Sequence, residues 1–169
     1  TRRCIGFPTV FNLPRPIVNP SQPKCQLLGV ANLDQMRLYN NVYRKIGIDY
    51  AIENSIEGYD EISLTGNFKI TTNDYERIFS PADIGMQQTQ AYELMGGETK
   101  EDAMRIFDSV LANTATESQK NVVITNAAFA IQVMERGKKS IDECIAIARE
   151  SLESGRAEET LKKFIEINS

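Results

Sequence analysis

The sequence predicts an α/β fold: a parallel-containing sheet with a βαβ unit and a small β-hairpin, followed by a carboxyl-terminal layer of helices. Three observations support this prediction. A short apolar run, an amphipathic helical pattern and a second strand-like run follow one another between residues 26 and 54. Two short strand-like runs separated by a turn come next. From residue 96 onward, helical periodicity and helix-start signals dominate, which favours a layer of helices after the sheet.

The composition is that of a water-soluble globular chain. Its 169 residues are 41% hydrophobic and carry a net charge of −4, which suits one domain. No apolar stretch reaches the roughly 18 residues that a membrane span needs, and the first residues do not resemble a signal peptide. We therefore expect a cytoplasmic protein. The acidic balance, without a basic block, argues against a nucleic-acid partner.

The residue types present restrict the chemistry. The chain has no histidine, which excludes within it a Ser/His/Asp triad, a Cys/His dyad and a histidine metal site. Its three cysteines, Cys4, Cys25 and Cys144, form no CxxC pair, so we expect reduced packing residues. Oxygen ligands or arginines must therefore carry any reaction. Because the chain begins at Thr1 without a methionine, we also expect it to be part of something larger.

The first half of the chain predicts the βαβ unit. Residues 7–23 hold five of the six prolines and are predicted to be loop. The apolar run QLLGV at 26–30 predicts a buried strand. Asn32, followed three residues later by a glutamine, predicts the start of a helix that ends at Gly47. Residues 48–54 alternate in strand fashion. The apolar positions predicted to line the helix are Met36, Tyr39, Tyr43 and Ile46.

The position of this unit predicts where a ligand would bind. Its two strands should be parallel, and ligands of such sheets lie beyond the carboxyl ends of the strands. The segment EGYDE at 57–61 begins at that edge. After it, EISLT at 61–65, FKITT at 68–72 and ERIF at 76–79 are predicted as short strands, with Asn73-Asp74 as a hairpin turn. SPAD at 80–83 predicts a single helical turn.

Three capping boxes mark the starts of the helices that follow. They pair Thr99 with Asp102, Thr116 with Gln119, and Ser140 with Glu143. The apolar run at 122–134 predicts a central buried helix, and a last helix is expected after Gly155. Helical spacing predicts buried faces on the first, third and last helices. These faces consist of Ala103, Ile106, Phe107, Val110 and Leu111; of Ile141, Cys144, Ile145, Ala148 and Leu152; and of Leu161, Phe164 and Ile165.

Asp60 and Glu61 are the candidate metal ligands. Adjacent carboxylates at the carboxyl edge of a parallel sheet can converge on Mg²⁺, which takes one or two protein carboxylates and fills its other positions with water and phosphate oxygens. Such pairs are also common as exposed surface residues, and the residues alone leave both interpretations open. Arg2 and Arg3 could pair with a carboxylate or phosphate, and Gly96-Gly97 could cradle a phosphate, although a turn into a capped helix explains the glycines more simply.

Several segments together resemble anthranilate phosphoribosyltransferases, over essentially the whole chain and in the family's order. VFNLPRPIVNP resembles the family's FN-L-L-G-P-L-x-N-P, and EGYDEISLTG resembles its D-G-x-D-E-x-S-L-T. Further matches are QLLGV at 26–30, SPADIG at 80–85, ELMGGE at 93–98, NVVITNAAFAIQVM at 121–134 and ARESLESGRAEETLKKF at 148–164.

The resemblance implies a function. Members of the family transfer the phosphoribosyl group of 5-phosphoribosyl 1-diphosphate to anthranilate in tryptophan biosynthesis, with magnesium (Mg2+) on the diphosphate. They are similar to pyrimidine nucleoside phosphorylases in fold. By the resemblance, Asp60 and Glu61 are the metal-binding pair and Arg2 contacts anthranilate. The resemblance assigns no residue of this chain to a catalytic role.

The departures from the family also carry expectations. The family's G-T-G-G-D, N-x-S-T and K-H-G-N-R segments have no counterpart, so residues 1–169 resemble a single-domain fragment of the large α/β domain that is inactive alone. The family dimerises through a helical domain that is absent here. Arg15 replaces a glycine, and Glu53-Asn54 replaces an apolar residue and a histidine. Two alternatives remain. The chain is a non-catalytic binding or structural domain of the same fold, or it is a relative that uses another aromatic acceptor.

Overall fold

The computed structural model describes residues 17–169 and contains a four-stranded sheet. The strands are β1 (Cys25–Gly29), β2 (Asp49–Ser55), β3 (Phe68–Thr72) and β4 (Glu76–Phe79), and they lie side by side in that order. β1 and β2 are parallel, whereas β2–β3 and β3–β4 are antiparallel. The α/β prediction, with its parallel pair and its hairpin at Asn73-Asp74, is confirmed. Arg2, Arg3, Cys4 and Arg15 lie outside the described residues.

Helix α1 (Leu33–Ile46) connects β1 to β2 and is capped as predicted. The Asn32 Oδ1 accepts a hydrogen bond from the Gln35 backbone N–H at 2.9 Å. Gly47 ends the helix in the left-handed region, with φ +77°, where an L side chain would be strained. A cluster on this side of the sheet contains Val30, Met36, Tyr39, Tyr43, Tyr50 and Ile52.

The opposite face of the sheet is covered by helices α3 (Glu117–Met134) and α4 (Ile141–Glu153). Since alternate residues of a strand face opposite sides, Ala51 packs towards α3 while its neighbours Tyr50 and Ile52 pack towards α1. β2 is therefore buried on both faces, as expected of the inner strand of a parallel pair. Three aromatic rings, those of Phe68, Phe79 and Phe129, lie with centroids 5.6 to 5.9 Å apart in the α3 layer.

Helices α2 (Lys100–Leu111) and α5 (Arg156–Asn168) complete the described chain. All three predicted capping boxes are present, at the starts of α2, α3 and α4. Short 3₁₀ turns at Pro81–Ile84 and Ala91–Leu94 separate β4 from α2, and the first confirms the predicted turn at SPAD. The free thiol of Cys144 is fully buried in the core, as predicted for a packing cysteine. Within the described range, no helix is both long and apolar enough to cross a bilayer.

Two predictions about burial are wrong. α5 buries no residue completely, and Phe164 and Ile165 are 64% and 54% exposed rather than inward. On α2 only Val110 is buried, and Phe107 is 55% exposed. Helical spacing identifies the apolar face of a helix, but burial depends on what packs against that face. Residues 17–169 leave the apolar faces of these two helices largely uncovered.

The predicted strand at 61–65 is also wrong, because these residues form an irregular segment with no strand pairing. Leu64 has φ +59°, which breaks an extended strand. Ile62 and Leu64 are nevertheless fully buried. The alternation therefore marked residues that enter the core, but side-chain hydrogen bonds rather than a β-ladder hold the segment.

Candidate functional site

The candidate site lies in the loop between β2 and β3, at the carboxyl end of β2. Gly58 makes the turn with φ +102°, and its N–H donates to the Ser55 carbonyl at 2.8 Å. The Ser55 N–H in turn donates to the Tyr59 carbonyl at 3.0 Å, so the loop folds back over the strand end. Asp60 and Glu61 follow immediately, and both side chains are exposed. The predicted pair is thus placed at the edge where ligands of parallel sheets bind.

The backbone of this acidic pair is fixed by its neighbours. Ser55 Oγ donates to the Glu61 carbonyl at 2.6 Å. Asn126 of α3 clamps the next residue, accepting from the Ile62 N–H at 3.0 Å and donating to the Ile62 carbonyl at 2.9 Å. A Cβ on Gly29 would lie 1.6 Å from the Asp60 carbonyl oxygen. β1 therefore has to end in glycine for the loop to lie this close to the sheet.

A series of hydrogen-bonded hydroxyl groups stabilises the loop. Ser55 Oγ lies 3.1 Å from Ser63 Oγ, which lies 2.7 Å from Thr65 Oγ1. Thr65 then donates to the Glu57 carboxylate. Each of these hydroxyls has a partner, so a polar segment is buried without an orphaned donor. The network connects the strand end to both ends of the loop that carries the acidic pair.

Glu53 is a member of this site that sequence reasoning did not assign a role. It precedes the end of β2, is only 5% exposed, and its Oε2 has no hydrogen-bond partner among the described residues. Burial raises the pKa of Glu53 to about 8, and the negative charges of Glu61 and Asp60 add to the increase. Three carboxyl groups therefore interact at one edge of the sheet. The available signal was a carboxylate directly after the apolar run at residues 50–52 of the strand.

Asn54 occupies the position where the resembling family has a histidine. Its Nδ2 donates to the Val30 carbonyl at 2.7 Å, so the side chain joins the ends of β1 and β2. The amide has a structural role in holding the two strand ends together. Arg2, the predicted contact for anthranilate, lies outside the described residues.

The exposed carboxylates suit a hard divalent cation held together with a ligand. Among the described residues, neither the Asp60 nor the Glu61 side chain forms a hydrogen bond or an ion pair, so their oxygens are available. The same range contains no group of three acidic or thiol side chains arranged to enclose an ion. Mg²⁺ does not require such a cage, because one or two carboxylates with water and phosphate oxygens complete its octahedron. Glu53, whose Oε2 has no hydrogen-bond partner within residues 17–169, lies on the strand end over which their loop folds.

Relatives of this chain are anthranilate phosphoribosyltransferases. The chain is 55% identical over 168 residues to the enzyme of Phocaeicola vulgatus and 54% identical over 168 residues to that of Bacteroides thetaiotaomicron. Each match covers 99% of this chain but 50% of the relative. The chain thus spans about half the length of the curated relatives it matches.

Solved structures show the same fold. Anthranilate phosphoribosyltransferase from Thermus thermophilus matches with a TM-score of 0.84 and 26% identity, covering 97% of this chain and 49% of that one. The Saccharomyces cerevisiae enzyme in complex with PRPP and Mg matches with a TM-score of 0.81 and 24% identity, covering 98% and 47%. A family model described as the glycosyl transferase family, a/b domain, matches residues 1–158. This chain therefore belongs to that glycosyl transferase family.

Proposed function

We propose that this chain is the metal-holding part of an anthranilate phosphoribosyltransferase. The reaction is transfer of the phosphoribosyl group from 5-phosphoribosyl 1-diphosphate to the amine of anthranilate in tryptophan biosynthesis, in the cytoplasm. One observation carries the proposal: a chain 55% identical to such enzymes holds two carboxylates on a clamped loop at the carboxyl edge of its parallel strands, and within residues 17–169 both are unpaired. That arrangement suits the chemistry of a diphosphate leaving group.

The proposed roles follow from the donor types. Asp60 and Glu61 hold Mg²⁺, which when bound neutralises the charge that develops on the departing diphosphate. Ser55 and Asn126 keep the backbone of the pair in place, so that the carboxylates need little reorganisation when the ion arrives. Arg2 is proposed to pair with the carboxylate of anthranilate through its guanidinium group.

The proposed transfer needs little acid–base catalysis. The anthranilate nitrogen forms a bond to C1 of the ribose as the bond between C1 and the diphosphate oxygen breaks, and the nitrogen then loses one of its two protons to solvent. The aromatic amine is already unprotonated at neutral pH, so its lone pair is available without a general base. The absence of histidine from the chain is therefore compatible with the proposal.

The half-length match limits what this chain is proposed to do by itself. We propose that residues 1–169 form one domain and that the phosphate-binding segments absent from it come from the rest of a protein of the relatives' length. Alone, the chain is expected to transfer no phosphoribosyl group, since the diphosphate would be held from one side only. A homodimer, as in the resembling family, would then form through the remaining half.

A chimera tests the proposed function directly. This chain replaces the matching half of the Phocaeicola vulgatus relative, to which it is 55% identical, and turnover is followed by the loss of anthranilate fluorescence. We expect transfer that depends on Mg²⁺. We expect Asp60→Asn in the chimera to lower kcat/KM by about 100-fold or more, since it removes charge stabilisation at the leaving group.

The matched control is Asp34→Asn, which removes an exposed carboxylate from α1 and is expected to leave kcat/KM unchanged. A chimera that folds, as judged by circular dichroism, but transfers nothing at saturating substrate would contradict the proposal. It would favour a non-catalytic binding domain of the same fold. Transfer to another aromatic amine but not to anthranilate would instead reassign the acceptor.

A further inference from the structure

Glu53 has a structural environment that its neighbours in β2 do not share. Ala51 and Ser55, on the same face of the strand, are either apolar or fully hydrogen-bonded. Glu53 is 5% exposed, and within residues 17–169 its Oε2 has no hydrogen-bond partner. A buried polar atom without a partner is unfavourable, and natural structures usually supply one. We therefore expect a bound ligand to supply the missing hydrogen-bond partner of Glu53.

The position of Glu53 indicates what that partner is. Glu53 pairs across the parallel ladder with Gly29, and the Asp60 carbonyl lies against the space that a Gly29 side chain would fill. The loop that carries Asp60 and Glu61 thus crosses the sheet beside Glu53. A buried carboxyl group beside the loop that carries two further carboxylates favours a cation, and hard oxygen atoms favour a divalent one.

We infer that Glu53 is a third acidic residue of the divalent-cation site and contacts the ion through a metal-bound water molecule. This inference rests on the proposed function, because it assumes that Asp60 and Glu61 are the direct ligands. We assign a contact through water rather than direct coordination, because the described residues contain no group of three acidic side chains that could enclose an ion. Mg²⁺ normally retains several of its waters in protein sites, and these waters donate hydrogen bonds to nearby carboxylates.

Binding of Mn²⁺ to the 169-residue chain tests this role without relying on turnover. Free Mn²⁺ is measured by electron paramagnetic resonance at an ionic strength of about 0.15 M, where long-range attraction to exposed carboxylates is largely screened. We expect one bound ion. Glu53→Gln, which keeps the shape but cannot become an anion when the cation binds, is expected to weaken its binding by about tenfold or more, as for other residues that hold metal-bound water.

The matched control is Asp49→Asn, which removes one carboxylate from the opposite end of the same strand, where it pairs with Arg136. We expect its Mn²⁺ affinity to equal that of the wild type. If Glu53→Gln is not folded by circular dichroism, Glu53→Val replaces it, since valine suits a buried strand position. A purely packing role for Glu53 would leave the Mn²⁺ affinity of either folded variant unchanged.

The outcomes separate this inference from the proposed function. If Glu53→Gln binds Mn²⁺ like the wild type while Asp60→Asn loses it, Glu53 has no part in the site and the acidic pair stands. If the wild-type chain binds no Mn²⁺, the inference is wrong, whereas the proposed transfer is decided by turnover of the chimera. Weaker binding in both Glu53→Gln and Asp60→Asn, with Asp49→Asn unchanged, supports the inference.

Discussion

Glu53 lies on the face of β2 that packs towards α3, where an apolar side chain would be the usual occupant. A carboxylate at this depth loses its hydration, and among residues 17–169 nothing donates a hydrogen bond to its Oε2. The protonated form is favoured by burial and by the two neighbouring carboxylates, which explains why the pKa of Glu53 is raised to about 8. Glu53 should therefore destabilise the fold once it ionises.

The first prediction concerns the pH dependence of stability. The pKa of Glu53 rises from 4.5 to about 8 on folding, so its contribution to stability is complete below pH 4.5 and is lost as the pH rises through 8. We expect the free energy of unfolding to fall by about 2–4 kcal/mol between pH 5 and pH 8. Urea unfolding in the presence of EDTA measures this change in the free energy of unfolding. The absence of histidine leaves few other side chains that titrate in this window.

Glu53→Gln is the control for this prediction, because an amide does not titrate. Its free energy of unfolding should stay nearly constant between pH 5 and pH 8. An equal fall in the variant and the wild type would show that Glu53 is not the source of the pH dependence.

The second prediction concerns Gly29, whose lack of a side chain admits the loop. A Cβ at this position would overlap the Asp60 carbonyl oxygen, which is backbone and cannot rotate away. We expect Gly29→Ala to lower the free energy of unfolding by about 2 kcal/mol or more, because the loop must move off the strand end.

Urea unfolding at pH 5 measures this cost, and Gly96→Ala is the matched control. Nothing lies within 4 Å of a Cβ on Gly96, so its substitution should change the free energy of unfolding by less than about 0.5 kcal/mol. Equal effects of the two substitutions would mean that the loop does not depend on close approach to Gly29.

At the scale of elements, α3 determines where the site loop lies. Its Asn126 bonds to both backbone groups of Ile62, the residue after the acidic pair. The same helix covers the core face of the sheet through Ile124, Ala128 and Phe129. The loop geometry is therefore coupled to the helix that stabilises the sheet, although the two are far apart in sequence.

The third prediction concerns a substitution that removes the hydrogen bonds between Asn126 and Ile62. Asn126→Ala leaves two buried backbone groups of Ile62 without partners and is expected to cost about 1–3 kcal/mol of stability. The Ile62 amide should exchange with deuterium faster than in the wild type, as measured by NMR. Asn121→Ala on the same helix, which removes a bond to Arg149, should leave the Ile62 exchange rate unchanged. Unchanged exchange in Asn126→Ala would show that the clamp does not hold the loop.

Helices α2 and α5 illustrate the limit of periodicity as a guide to burial. Their starts are predicted correctly, because the Thr99–Asp102 box and the turn at Gly155 are local features. Their apolar faces are also real, but Phe107 and Phe164 stay more than half exposed in the described chain. Burial is a property of the partner surface, and periodicity carries no information about that partner.

Across the fold as a whole, the elements that local signals specify were predictable from sequence. The βαβ unit followed from the Asn32 cap, the Gly47 stop and the apolar runs on either side. The hairpin followed from Asn73-Asp74, and the family from the ordered segments. Asp60 and Glu61 were placed correctly at the carboxyl edge of β2, because the connection of parallel strands determines that edge.

The features that sequence reasoning missed depend on contacts between distant residues. The segment after Glu61 alternates like a strand, yet Asn126 and the Ser55 hydroxyl hold it as an irregular loop. The proximity of Glu53 to the acidic pair depends on how that loop folds back over Gly29. No local pattern encodes these contacts. The proximity of the Glu53 carboxyl group to the acidic pair is therefore evident only in the folded structure.

The acidic pair is proposed to hold the divalent ion, and diffraction can locate that ion itself. The experiment is anomalous diffraction from crystals of the chimera that have been soaked with Mn²⁺ and 5-phosphoribosyl 1-diphosphate. We expect a peak about 2.1 Å from carboxylate oxygens of Asp60 and Glu61, near the spacing at which Mg²⁺ binds oxygen. A peak elsewhere, or an unchanged peak in crystals of the Asp60→Asn chimera, would contradict it.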